Sequence, residues 1–286
     1  MSTRRNFLLQ TALGFGALAV PGLSATAGTI VKKGETEAGP LLPVGMAGYT
    51  FAKFNIDQAI EMLNRINVRN LSLKDIHLPI NSTPGQIREV TEKIANAGIK
   101  IYAVGVIYMK TQTEIDNAFA YAKRVGVPLI VGVPTPELLD YTEQKVKEYN
   151  IKIAIHNHGP EDKLYPGPKS VYDLIRNRDA RMGICLDIGH AMRAGEEPAQ
   201  AVLNYRTRLF DLHIKDVTAA AKDGKATEIG RGVIDFGKLT TNLLKIRYPG
   251  ICAIEYEKDM NDPLVGIAES VGYFRGVSRE VSRKGA

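Results

Sequence analysis

Two cysteines are all that the chain's 286 residues contain, so no disulfide framework is available to hold the fold. Cys185 and Cys252 each sit among apolar neighbours in a β-rich run, the surroundings of a small buried hydrophobe. An intervening strand between those two runs makes a bridge geometrically poor. Long apolar runs are also missing: Leu8 to Val20 covers about 13 residues, broken by Gln10 and two glycines, too short to span a bilayer stably. No G-x-G-x-x-G turn and no G-x-x-x-x-G-K-[ST] loop occurs, and Gly45-Met46-Ala47-Gly48 lacks the spacing of either. That excludes the common nucleotide-binding folds. The formal net charge is +6, two of the positive charges are Arg4 and Arg5, and no Lys/Arg block interleaves with aromatics. A nucleic-acid partner is therefore not expected.

Histidine is scarce in a more informative way. The chain has five, His77, His156, His158, His190 and His213, and each falls at or just past the end of a β-rich run. Histidines scattered over a surface would not share that placement, and shared placement points to a common site.

The first 27 residues are expected to be a leader. Thr3-Arg4-Arg5-Asn6-Phe7-Leu8 has the twin-arginine pattern, a short apolar stretch follows, and Ala25-Thr26-Ala27 is a small-x-small cleavage signal. The expectation is an exported, periplasmic protein cut after Ala27; the alternative is an uncleaved membrane anchor. Residues 28–43, polar and marked by Gly and Pro, read as a lead-in, and 44–286 as one domain.

Within that domain β-rich and amphipathic segments alternate. Strands are expected at Val44–Phe51, Asn70–Lys74, Lys100–Val106, Pro128–Gly132, Ile151–His156, Met182–Asp187, Leu209–Ile214 and Ile251–Tyr256. Helices are expected at 57–66, 85–97, 112–125, 136–149, 170–177, 198–206, 236–246 and 263–281. The clearest helix places Ile87, Val90, Ile94 and Ala97 at three- and four-residue steps before Gly98. Strict alternation predicts a parallel sheet with right-handed crossovers. Eight units favour closure into a (β/α)8 TIM barrel, whose typical length of about 250 residues fits.

In such a barrel the C-terminal strand ends meet at one mouth, where active sites sit. The last four strands end in His156, Asp187, His213 and Glu255, spaced about 25 to 40 residues apart. Two imidazoles and two carboxylates meeting there would hold one divalent metal ion; the nitrogen and oxygen set suits zinc, manganese or cobalt better than calcium. Asp187 also reads as a helix N-cap, and Glu255 as a rim ion-pair partner.

At these residues the chain resembles the xylose isomerase-like barrel superfamily, in its sugar phosphate isomerase/epimerase branch. The resemblance is carried by KDIHLP (74–79), IHNHGPED (155–162), GICLDIGHAMRAGEEP (183–198), DLHIKD (211–216), GRGVIDF (230–236) and IEYE (254–257). It implies one metal ligand from each of strands five to eight around manganese, magnesium, cobalt or zinc, here His156, Asp187, His213 and Glu255. His156 departs from the branch, which carries a glutamate there and uses it with the eighth-strand glutamate as paired acid and base. The resemblance further implies that His190 contacts substrate hydroxyls.

A metal bridging a carbonyl and an adjacent hydroxyl eases removal of the proton alpha to the carbonyl. Acid and base candidates near the mouth are Glu255, Glu161, His190 and Lys215; a lysine beside a cation loses its proton more easily. Glu161 could replace the carboxylate lost at position 156. His77, His158, His190, Arg231 and Glu257 are candidate substrate contacts, and Arg231 and Glu228, in the long loop after strand seven, could hold hydroxyls or an acidic group. The expected activity is a metal-dependent sugar isomerase or epimerase acting on a small carbohydrate. Export makes an unphosphorylated sugar or keto-sugar the expected substrate. A lyase or hydratase acting on a 3-keto-glycoside or inosose-like substrate is the alternative, favoured by the departure at His156. A non-catalytic exported carbohydrate-binding barrel is the second alternative, and a homo-oligomer is compatible with the sequence. An apurinic endonuclease, a distant relative in the superfamily, would need additional His and Glu ligands.

Overall fold

The alternation closes on itself. In the computed structural model, which describes residues 41–285, eight parallel strands form β1 (Val44–Ala47), β2 (Asn70–Leu73), β3 (Lys100–Met109), β4 (Leu129–Pro134), β5 (Lys152–His156), β6 (Met182–Asp187), β7 (Leu209–Ile214) and β8 (Cys252–Ile254). They pair in sequence order, with β8 returning to β1, as a closed barrel. A two-stranded ladder, Asp216–Val217 with Ala226–Thr227, stands beyond β7. The leader and residues 28–40 lie outside the described residues. Leu42, at the end of the expected lead-in, is buried, and Pro43 O accepts the Cys252 amide at 2.9 Å.

Around the barrel run α1 (Ile56–Arg65), α2 (Pro84–Asn96), α3 (Gln112–Val125), α4 (Leu139–Tyr149), α5 (Pro168–Ile175), α6 (Ile188–Arg193), α7 (Pro198–Asn204), α8 (Phe236–Lys245) and α9 (Leu264–Arg283). The first three start on the same local device, a reciprocal capping box: Asn55 with Gln58, Thr83 with Gln86, and Thr111 with Glu114. Each cap satisfies amides that the first helical turn leaves unpaired, contributing about 1 kcal/mol. In α2, Ile87 and Ile94 are buried in the core, each worth about 2 kcal/mol by removal from water. Gly98 follows at φ 72°, a left-handed conformation that costs glycine little. No described helix is long and apolar enough to cross a membrane.

Three departures from the expected elements matter for the mouth. β1 stops at Ala47 and turns through a 3-10 segment, Gly48–Phe51. A side chain at Gly48 would lie 2.7 Å from Ser72 O, so glycine permits that close crossing. β3 continues past Val106 to Met109, which carries Tyr108 up to the rim. An additional short helix, α6, starts directly on Asp187. Cys185 in β6 and Cys252 in β8 are both buried and free, with β7 between them.

Candidate metal centre and substrate chamber

Parallel pairing in register brings the four strand-end residues together. His156 Nε2 lies 3.1 Å from His213 Nδ1 and 3.5 Å from Asp187 Oδ2, while His213 Nδ1 lies 3.2 Å from Glu255 Oε2. All four side chains are buried, and one donor atom from each falls within 4.8 Å of all the others. Nitrogen and oxygen ligands about 2.1 Å from a zinc ion stand roughly 3.4 Å apart, so the set fits a single divalent cation. A buried orphan supports that fit: Asp187 Oδ2 makes no hydrogen bond, although the Lys215 ammonium is 2.9 Å away. Cys185 is within the same reach of both histidines, but burial raises its pKa to about 12, which keeps it a neutral thiol.

Asp187 answers both of its sequence readings. Oδ1 accepts the His190 amide at 2.8 Å and caps α6, leaving Oδ2 for the cluster. Burial alone would raise the Asp187 and Glu255 carboxyl pKa values. His190 and Lys215 around the first, and His213 and Lys215 around the second, outweigh it and hold both well below the usual carboxylate range. Burial lowers His156 to about 4, so its imidazole is neutral and free to coordinate. At His213 burial pulls the same way, but the Glu255 carboxylate, 3.2 Å from Nδ1, opposes it and the pKa is raised.

Lys215, 3% exposed, is not paired with its neighbour Asp216. Its Nζ reaches Asp187 at 2.9 Å, Glu255 at 2.8 Å and Glu257 at 3.0 Å. Burial would strip its proton, yet those three carboxylates hold the pKa well above the ordinary lysine value. In this arrangement the Lys215 ammonium donates hydrogen bonds to Glu255 and Glu257. Asp216 serves the backbone: its two oxygens accept the amides of Val217, Gly230, Gly232 and Ile234, folding the loop after β7.

Above the cluster lies a chamber of about 300 Å³ lined by Tyr49, Lys74, Val106, Tyr108, His156, His158, His190, Glu255 and Glu257. His158, His190 and Glu257 are thus at the chamber wall. Burial lowers both His158 and His190 to about 4, so both are neutral hydrogen-bonding groups at pH 7. Four expected residues are placed elsewhere. His77 is buried behind the wall with Nε2 3.2 Å from Phe51 O. Glu161 is 49% exposed and accepts from Arg193 Nη2 at 2.8 Å; only through Arg193, 3.2 Å from His190 Nδ1, is it linked to the chamber. Arg231 is 60% exposed and paired with Glu269 on α9. Glu228 accepts from Lys258 and Tyr256. Long side chains on loops take the nearest opposite charge, and strand spacing does not encode that choice.

The chamber also holds residues that spacing did not single out. Lys74, directly after β2, donates to Val106 O at 2.9 Å and pairs with Asp75. The Tyr108 hydroxyl is 2.9 Å from His158 Nε2. Asn157, buried outside the chamber lining, lies between His156 and His158 within the IHNHGPED stretch.

A closed (β/α)8 barrel with a buried two-histidine, two-carboxylate donor set at its C-terminal mouth defines the class. The chain belongs to the xylose isomerase-like TIM barrel family, whose sequence profile matches residues 74–277. It is 31% identical over 222 residues to an inosose dehydratase of Bacillus cereus (strain AH820), covering 68% of this chain and 72% of that protein. Among solved structures, a 3-keto-D-glucoside 4-epimerase from E. coli in its apo form superposes with a TM-score of 0.68 at 16% identity, covering 82% of this chain and 99% of that one. The IolI protein with a bound zinc atom superposes with a TM-score of 0.68 at 17% identity, covering 85% and 99%.

Proposed function

We propose that the chain is a divalent-metal-dependent sugar isomerase or epimerase that removes the proton alpha to a carbonyl of a small sugar or keto-sugar. One observation carries the reading: four buried donors from four successive strands converge beneath an open chamber walled by neutral histidines. A divalent cation held by His156, Asp187, His213 and Glu255 would polarise a carbonyl and its neighbouring hydroxyl. The chain's own groups supply the rest. Glu257, outside the four-donor set and facing the chamber, is the proton acceptor. Lys215, bridging Glu255 and Glu257, holds that carboxylate in place and donates to developing negative charge. His158 and His190 orient hydroxyls. An export leader on residues 1–27 supports an unphosphorylated substrate, since phosphorylated sugars are mainly cytosolic.

A second reading, a lyase or hydratase on a keto-glycoside or inosose-like substrate, shares the first step and then expels a β-substituent. It is favoured by His156, an imidazole where paired-glutamate epimerisation needs a carboxylate, and by the likeness to an inosose dehydratase. Metal-loaded protein incubated in deuterated water with free ketoses, inososes and keto-glycosides separates the two. Deuterium entry with connectivity retained supports the isomerase or epimerase; loss of water or aglycone supports the lyase. Carbohydrate binding that a chelator does not change, with neither reaction, would leave only a binding barrel.

A further inference from the structure

Beside the chamber opens a hollow of about 650 Å³, against the chamber's 300 Å³. Its walls come from the segment between β2 and α2, from the end of β3 and from α3, and include Asp75, Ile80, Asn81, Ser82, Tyr108 and Asn117. The two spaces meet at Tyr108, which lines both. Lys74 and Val106 face the chamber, and their chain neighbours Asp75 and Ile107 face the hollow.

Tyr108 is 51% exposed, yet its ring is held. It stacks on His158 with the planes 21° apart, and its hydroxyl is tethered to His158 Nε2 at 2.9 Å. A flat aromatic face fixed between two hollows of mixed polar and apolar lining suits a pyranose, which presents C–H faces to stack and hydroxyls around its edge. Two charged side chains at the hollow are tied into the fold. Glu114 caps α3 through the Lys110 and Thr111 amides at 2.6 and 2.9 Å, and Arg124 donates to Ile80 O at 2.7 Å. Amide and hydroxyl groups at Asn81, Ser82 and Asn117 remain, which is recognition chemistry for a polyol. At about 300 Å³ the chamber is at the small end of ligand sites, enough for one sugar ring.

Resting on the proposed function for the chamber, we propose that the hollow is a second sugar subsite. The substrate is then a glycoside of at least two rings, with the reacting ring over His158 and His190 and the linked ring across Tyr108 against Asn81 and Asn117.

Saturation-transfer NMR on the full chain tests this with trehalose, maltose, cellobiose, lactose and sucrose as probes. The expected result is saturation on both rings of at least one disaccharide, with Asn117→Trp, which fills the hollow from an exposed helix position, silencing one ring and sparing the other. Asn117→Ala should weaken binding of the same disaccharide relative to its methyl monosaccharide by about tenfold. One-ring saturation for all five probes, or an Asn117 substitution that affects both rings alike, would overturn the subsite. Failure of the proposed function reads out elsewhere: two-ring saturation sensitive to Asn117 would persist while metal-loaded protein showed neither isotope exchange nor elimination.

Discussion

Asn157 and Asp187 are locked together by a reciprocal pair of hydrogen bonds. Asn157 Oδ1 accepts the Asp187 amide at 3.0 Å, and Asn157 Nδ2 donates to Asp187 O at 3.2 Å. Neither bond touches the Asp187 carboxylate, yet together they fix the backbone from which it projects. Both residues are fully buried, so a lost partner is not replaced by water and costs about 1–3 kcal/mol. Asn157→Leu should therefore fold with reduced stability and bind zinc or manganese roughly 10–100-fold more weakly, the usual effect of removing a group that orients a ligand. Isothermal titration with each metal checks it; unchanged affinity would mean that the aspartate is positioned by its helix cap alone.

The cap and the charge of Asp187 are separable. Asp187→Ala removes both the acceptor for the His190 amide and the negative charge; Asp187→Asn keeps an oxygen at the cap. The alanine variant should melt a few degrees lower than the asparagine variant, in line with about 1 kcal/mol for the cap. Both should lose bound metal and turnover. His213→Ala, which has no cap to lose, should show the same loss of metal. Metal content by elemental analysis alongside thermal unfolding distinguishes the cases, and normal metal content in Asp187→Asn would remove that carboxylate from the donor set.

Lys215 supplies positive charge to three carboxylates within 3.0 Å. Lys215→Met leaves Asp187, Glu255 and Glu257 with fewer cationic partners, and breaking one side of a buried ion pair costs about 3–5 kcal/mol. A divalent cation should recover much of that cost, so the rise in melting temperature on adding zinc or manganese should be larger in Lys215→Met than in the parent. Equal rises would show that ammonium and metal act independently.

How much of this could be read from the sequence differs by residue, for physical reasons. His156, Asp187, His213 and Glu255 were legible because a parallel barrel forces strand ends to one mouth, so knowing where a strand stops nearly fixes where its last side chain is. Tyr108 was not: its strand runs three residues past the stretch that composition marks as β, and only that extension lifts the ring to the rim. Lys215 was legible in position but not in its partners, because those carboxylates come from β6 and from the segment after β8, distant in sequence. Glu161 falls on the same loop as His158, which lines the chamber, and Arg231 on the loop after β7. Their partners, Arg193 and Glu269, decide their direction, and no spacing rule predicts an ion pair between a loop and a helix.

Away from the chamber, Glu228 gives the fold an acid-sensitive tie. Burial would raise its carboxyl, but Lys258, with Nζ 2.6 Å from Oε2, and the Tyr256 hydroxyl, 3.1 Å from Oε1, outweigh it and lower the pKa from its ordinary 4.5 to about 2. In the unfolded chain the group takes up its proton near 4.5 and in the folded chain near 2, so between those values the unfolded state binds more protons and stability rises with pH. The contribution is complete above about 4.5 and is lost as pH falls through 2. Glu228→Gln should be less stable than the parent at pH 7, with the gap in melting temperature narrowing from pH 4.5 downward and nearly closed at pH 2. A gap that stays constant across that range would assign the difference to packing around Tyr256 and not to the Glu228–Lys258 charge pair.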